Sequence, residues 1–311
     1  MAKSVLSVPH FHNEEAAFAY VEALLWPNGP TCPHCGATDD HIGRLQGKSS
    51  RIGLRKCYAC RGTFTVRMGS IFEDSHLALH LWLQVIHLMC ASKKGLATRQ
   101  IQRMLQCSMK TAWFLSHRIR EAMKDGMIGA LGGEGQTVEA DETFIGGKEK
   151  NKHLSKRATS RGFGKEIVLS LVERNGRVRS MHVARVSADN LRPILVAQID
   201  DASTLCTDDG RHYLGMRRHF RHESVNHSAA EYVRGPFHTN SVEGFFSILK
   251  RGIVGCYFHV SEQHLHRYLA EFDFRHSNRG RLGIDDAARA DLAIKGFAGK
   301  RLTYETTRFA A

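Results

Sequence analysis

The stretch TVEADETFIGG, residues 137–147, decides the fold. Its residues predict a strand over Thr137–Phe144, yet Asp141 sits in the middle, where an acidic side chain has poor strand propensity and is normally excluded from a central strand. A bound metal ion relieves that conflict. Outward from this strand, further strand signals lie at Ile167–Glu173 and Arg177–Val186, followed by a helix at Asp189–Ile199 and a strand at Thr204–Thr207. Another strand signal covers Ser224–Tyr232, and helices are expected from Asn240 to about Gly252 and from Ser261 to Arg275. This order implies an α/β domain with a mixed sheet and helical cover.

Asp208 follows the apolar run TLCT, a position typical of ligands at the carboxyl ends of parallel strands. The same Asp also opens a TDDG turn, so alone it is a weak signal. Glu243 lies in the first turn of the helix beginning at Asn240, with Lys250 two turns later on the same face. Asn240 and Glu243 also have the spacing of a capping box, a helix stabiliser with no catalytic purpose. The three acids gain weight together, because hard divalent cations demand oxygen ligands and phosphoryl transfer commonly uses two such ions about 4 Å apart.

Upstream, residues 11–26 read as an amphipathic helix with Asn13 as cap. Two CxxC pairs follow, Cys32 with Cys35 and Cys57 with Cys60, separated by 21 residues. Two tight turns, each presenting two thiolates, suit one structural tetrahedral zinc. An apolar helix over Leu77–Ala91 precedes a helix capped by Thr98, a turn at Cys107 and Ser108, and a second helix over Met109–Met123, which is helix-turn-helix spacing. Lys110 and Arg118 are its candidate DNA contacts, with Ser108, Thr111 and His117 beside them. The segment 126–136, with five glycines in eleven residues, reads as a flexible linker. The span Lys148–Lys165 holds seven Lys or Arg, so Lys148, Lys150 and Lys152 are candidate phosphate contacts, as are Arg217 and Arg218 in the basic stretch after Asp208.

The 311 residues carry 44 Lys and Arg against 31 Asp and Glu, and the resulting +13 favours a polyanionic partner. No stretch approaches the roughly 20 consecutive apolar residues of a membrane span, and the N-terminus has no signal-peptide pattern, so a cytoplasmic, nucleoid-associated protein without membrane attachment is expected. Paired CxxC motifs with scattered single cysteines describe metal binding and buried thiols rather than a disulfide framework.

The motifs WPNGPTCPHCG, CYACRGTFTVRMGSIF, VEADETFIGGK, HTNSVEGFFSILKRG and YFHVSEQHLHRYLAEFDFRHSNR span nearly the whole chain and resemble insertion-sequence transposases of the DDE type, the ISXO-two-like group. The resemblance implies a ribonuclease H-like catalytic domain, with the first Asp on strand one, the second after strand four and Glu on a late helix. By motif match it carries over Asp141, Asp208, Glu243 and Lys250 as the catalytic set, with Asn240 as the alternative third residue. It implies two Mg²⁺ or Mn²⁺ ions on Asp141, Asp208 and Glu243, one structural zinc, and double-stranded DNA as partner, both terminal inverted repeats and target, with a homo-oligomer in the synaptic complex. The expected division is an N-terminal helix and zinc ribbon at 1–70, helix-turn-helix at 71–125, linker at 126–136, catalytic domain at 137–280 and a C-terminal tail at 281–311. The competing readings are a nuclease or resolvase on the same fold that only hydrolyses, and a zinc-ribbon regulator with an inactive catalytic domain.

Overall fold

The computed structural model describes residues 4–47, 49–124, 126, 129–147, 153 and 164–302. Two compact units emerge, one drawn from residues 1–123 together with those from 284 onward, the other from 124–283.

In the first unit, helix α1 (Glu14–Leu25) is capped by Asn13, whose side chain accepts from the Ala16 amide. A three-stranded antiparallel sheet follows, β1 (Ile42–Arg44), β2 (Arg55–Cys57) and β3 (Thr63–Phe64). Its small core is Cys32, Cys57 and Phe64, with Trp26, Ile42 and Met68 packed against it. Helices α2 (Leu79–Ala91), α3 (Thr98–Leu105) and α4 (Met109–Ala122) come next. Ala97 rather than Thr98 is the N-cap of α3, whereas Ser108 caps α4 by accepting from the Thr111 amide. Residues after 283 are more than the expected tail. A further helix, Asp286–Lys295, packs against α2, Arg289 donates to the Cys90 carbonyl at 2.8 Å, and Phe297 meets Phe72 edge-on at 5.0 Å.

The second unit is built on a five-stranded sheet. Its strands are β4 (Thr137–Ile145), β5 (Glu166–Glu173), β6 (Val178–Val183), β7 (Thr204–Asp208) and β8 (Arg221–Val225), ordered β6-β5-β4-β7-β8. The first three pair antiparallel, and β7 and β8 run parallel to β4. This mixed arrangement, with the acidic strand at the centre, is the expected ribonuclease H-like fold. β8 lies earlier than the Ser224–Tyr232 signal, and two short strands, β9 (Val233–Arg234) and β10 (Phe237–His238), form a hairpin after it.

Because alternate strand residues face opposite ways, the sheet serves two cores. One face buries Val138, Ala140, Leu169 and Leu171 under helix α5 (Ala188–Gln198). The other buries Ile145, Val168 and Val172 under α6 (Asn240–Gly252) and α7 (Glu262–Ser277), through Val242, Phe245, Phe246, Leu249, Leu265 and Phe272. The C-terminal helix of the first unit is accordingly α8. The glycine-rich segment is a linker only in part. Leu131 is fully buried, exchanges backbone hydrogen bonds with Gln198 and Asp200, and Gly132 donates to the Glu173 carboxylate at 2.9 Å.

Candidate active site

The pairing of β4 with β7 brings the two aspartates together. Val138 lies beside Leu205 and Glu139 beside Cys206, and the same offset carried two residues further sets Asp141 beside Asp208. Neighbouring strands are about 4.8 Å apart, and equal register on parallel strands directs both side chains to one face. That face is the one α6 covers, since Ile145, four residues on from Asp141, belongs to the α6–α7 core. The Asp208 turn is tight: its Oδ1 accepts from the Gly210 amide at 3.0 Å, and a Cβ at Gly210 would lie 2.9 Å from that oxygen.

Burial, then the neighbouring Glu142 carboxylate, pushes the Asp141 carboxyl up to about 7, with Asp208 and Glu243 adding to the rise and a hydrogen bond from the Glu142 amide opposing it. Asp208 is likewise raised, first by burial and then by Glu142, against the Gly210 amide. Asp208 and Glu243 are both near enough to Asp141 to disfavour its charge, and such a set of hard oxygen donors fits divalent cations such as Mg²⁺. Glu142 itself points to the opposite face, where it accepts from the Tyr213 hydroxyl at 2.5 Å and lies 3.2 Å from His212 Nε2. The His212 imidazole is raised in turn, chiefly by its hydrogen bond to Glu142.

Helix α6 presents Asn240, Glu243, Ser247 and Lys250 to solvent and buries Val242, Phe245, Phe246 and Leu249. Lys250 shares the exposed face with Glu243, roughly 10 Å along the axis. The expected capping box is absent. Thr239 is the N-cap, its hydroxyl donates to Glu243 Oε1 at 2.9 Å, and Asn240 is the first helical residue. Glu139 takes the capping role, with its Oε2 accepting from the amides of Ser241 at 2.7 Å and Val242 at 3.1 Å. Sequence reading missed Glu139, and the available signal was the alternation that places it on the Asp141 face.

The four cysteine sulfurs in the first unit lie within 4.8 Å of one another, with Cys32 to Cys60 at 3.7 Å and Cys35 to Cys57 at 3.6 Å. A tetrahedron of zinc–sulfur bonds about 2.3 Å long has edges of about 3.8 Å, so the cluster fits one zinc ion, and its spacing is too long for disulfides. A second group, Glu166, His182 and Glu262, brings one ligand atom each within the same distance, with Glu166 and His182 paired at 2.7 Å.

The candidate DNA contacts divide. Lys110 and Thr111 are exposed at the start of α4, and Arg217 and Arg218 are exposed after β7. Arg118 and His117 are corrections to the sequence reading: Arg118 is 4 % exposed and His117 0 %, so neither reaches a groove. The Arg118 guanidinium lies over the Phe114 and Trp82 rings and donates to the Glu73 carbonyl. Lys148, Lys150 and Lys152 lie outside the described residues.

Residues 130–277 match the ISXO2-like transposase domain, and residues 12–63 the transposase zinc-ribbon domain. The chain thus carries an ISXO2-like transposase domain behind a transposase zinc-ribbon domain. A relative from Halobacterium salinarum, an uncharacterized protein in transposable element ISH50, is 27 % identical over 285 residues, covering 87 % of this chain and 93 % of its own. A chain from the crystal structure of a pre-cleavage Mos1 transpososome is similar at 12 % identity with a TM-score of 0.27, over 68 % of this chain and 74 % of that one, too distant to carry an argument about this transposase. Among the described residues of this transposase, no helix is long and apolar enough to cross a membrane.

Proposed function

We propose that this transposase cleaves transposon-end DNA and joins the freed 3′ end to target DNA, with Asp141, Asp208 and Glu243 holding two divalent ions. The observation that carries the reading is the β4–β7 register, which directs Asp141 and Asp208 to the face that α6 covers, where burial first and neighbouring carboxylates second raise the Asp141 carboxyl to about 7. Divalent ions bound there supply Lewis-acid activation of the attacking oxygen and stabilisation of the leaving 3′ oxygen. The chain supplies the geometry: Asp141 and Asp208 from adjacent strands, Glu243 from a helix fixed over them, and Lys250 as a cation on the same helix face for phosphate. No covalent enzyme intermediate is needed.

Double-stranded DNA as partner is supported by the net charge of +13 and by exposed Lys110, Arg217 and Arg218. Its binding is expected to weaken steeply with salt, because each neutralised phosphate releases counterions with a logarithmic slope of about 0.9. The four-cysteine cluster is proposed to hold one structural zinc, closed to catalysis because all four positions are thiolates.

The test uses a labelled duplex bearing the element's terminal repeat. Asp141→Asn and Asp208→Asn should each abolish Mg²⁺-dependent cleavage and keep DNA affinity within about twofold, since the basic surface is untouched. Normal cleavage by either variant would refute the site. Strand-transfer products carrying the labelled end distinguish a transposase from a nuclease of the same fold. For the third position, Glu243→Gln should lose activity, whereas Asn240→Ala, removing a solvent-facing amide, should retain it. The reverse outcome reassigns the role to Asn240.

A further inference from the structure

Glu139 is the most buried carboxylate in the second unit's catalytic neighbourhood, at 0 % exposure, and sits two residues before Asp141 on the same strand face. Its partners come from three separate parts of the chain. Oε2 accepts from the Ser241 and Val242 amides, and Oε1 accepts from the Ser241 hydroxyl at 3.0 Å and from Arg174 Nε at 2.8 Å. His238 Nδ1 lies 3.2 Å from the same oxygen. Arg174 in turn donates to the carbonyls of Pro236 at 2.6 Å and His238 at 3.1 Å, in the hairpin that leads into α6.

Ser241 and Val242 are the second and third residues of α6 after the Thr239 cap, so their amides are among the helix's orphan donors. A Ser, Thr, Asp or Asn at the cap usually satisfies such amides, but the Thr239 side chain makes no cap bond and points to Glu243 instead. The strand carrying Asp141 therefore caps the helix carrying Glu243, across 102 residues of sequence. Each hydrogen-bonded partner donates, which a carboxylate with two accepting oxygens matches and a glutamine amide does not.

We propose that Glu139 is a positioning residue for the catalytic site, a buried staple between β4 and α6 that sets where Glu243 stands relative to Asp141 and Asp208. The inference rests on the proposed role of Glu243 and concerns how that side chain is held, not what it ligates. One carboxylate bound to two elements removes the freedom of the first turn of α6 to slide or fray. That turn has Asn240 and Glu243 at its solvent face, and the staple beneath it acts together with the buried Val242, Phe245 and Phe246 to fix its height.

The test uses the full chain and two readouts. Without added Mg²⁺, amide hydrogen exchange at Ser241 and Val242 should be slow, although first-turn helix amides ordinarily have no intrahelical partner. Glu139→Gln should speed both by about tenfold or more, leaving Leu249 in the same helix and Ile119 in the other unit unchanged. In single-turnover cleavage, Glu139→Gln should cost roughly 10- to 100-fold, as expected when a residue orienting a metal ligand is altered. In a Glu243→Gln background the same substitution should cost less than about twofold, because the group it positions is already lost. Losses that multiply in the double variant, or first-turn amides that exchange freely in the unaltered protein, would overturn the proposal. Should Glu139→Gln fail to fold, exchange in the unaltered protein still decides whether the staple exists. If Glu243→Gln alone cleaves at the normal rate, the Glu243 assignment fails while the exchange result stands by itself.

Discussion

At the scale of single residues, Asp141 concentrates the electrostatic cost of the site. Its carboxyl is raised to about 7, first by burial and then by Glu142. A raised acid contributes stability that is fully present below the ordinary carboxylate range and is lost as pH rises through about 7. In Mg²⁺-free buffer at pH 8 the folded protein therefore holds a disfavoured charge that Asp141→Asn removes. The variant should melt higher in the transition of the second unit, by roughly 2–4 °C for about 1 kcal/mol, and the difference should vanish at pH 4. A variant that melts lower at pH 8 would show that Asp141 is not held against its charge. Asp141 stands out in the sequence because an acid inside a strand violates local preference, whereas Asp208, which also opens a turn, gains weight only beside it. Glu139 does not stand out, since VEADE offers three acids in five residues and only its hydrogen bonds to the Ser241 and Val242 amides set it apart from its neighbours.

Among the elements, α4 most separates sequence from structure. Its limits and its Ser108 cap follow from apolar spacing and capping chemistry, yet its last turns carry His117, Arg118 and Arg120 into a buried setting. Basic residues on a helix read as exposed when the segment that buries them is distant in sequence. Here Glu73 and Trp82 receive Arg118, and Lys300 donates to the Ala122 carbonyl at 2.9 Å, 178 residues on. Arg118→Ala should accordingly destabilise the first unit by about 1–3 kcal/mol, through a lost buried hydrogen bond and ring contacts. Lys110→Ala should leave stability within about 0.5 kcal/mol and reduce the salt slope of DNA binding by about 1. Thermal melts beside salt titrations read both, and the idea fails if Arg118→Ala weakens DNA binding at unchanged melting temperature. The glycine-rich segment errs for a related reason: composition reads as slack, but Gly132 has φ +89°, and a Cβ there would lie 2.1 Å from Ser203 Oγ. Gly132→Ala should destabilise the second unit by more than about 1 kcal/mol in chemical denaturation, and a neutral result would return the segment to a linker.

Across the whole molecule, the two units should answer differently to loss of zinc. The sheet order and the two cores of the second unit follow from its pattern of strands and helices, and among its described residues no cysteine joins a cluster that could hold a metal ion. The ribbon has a core of only Cys32, Cys57 and Phe64 with a few flanking side chains, two of the three core residues being candidate zinc ligands. So small a core cannot offset its ordering entropy without a metal, and the binding energy of the ion becomes folding energy. The Arg55–Glu22 pair at 2.7 Å ties the ribbon to α1, but a partly exposed ion pair adds at most about 1 kcal/mol. Elemental analysis of protein purified without chelator should give one zinc per chain, and Cys32→Ser or Cys57→Ser should abolish it. In those variants limited proteolysis should cut within residues 26–68 while a fragment spanning 124–283 persists, with its own melting transition unchanged. Zinc retained at full stoichiometry would remove the four-thiolate assignment, and simultaneous loss of both transitions would show that the ribbon's metal supports the catalytic unit as well.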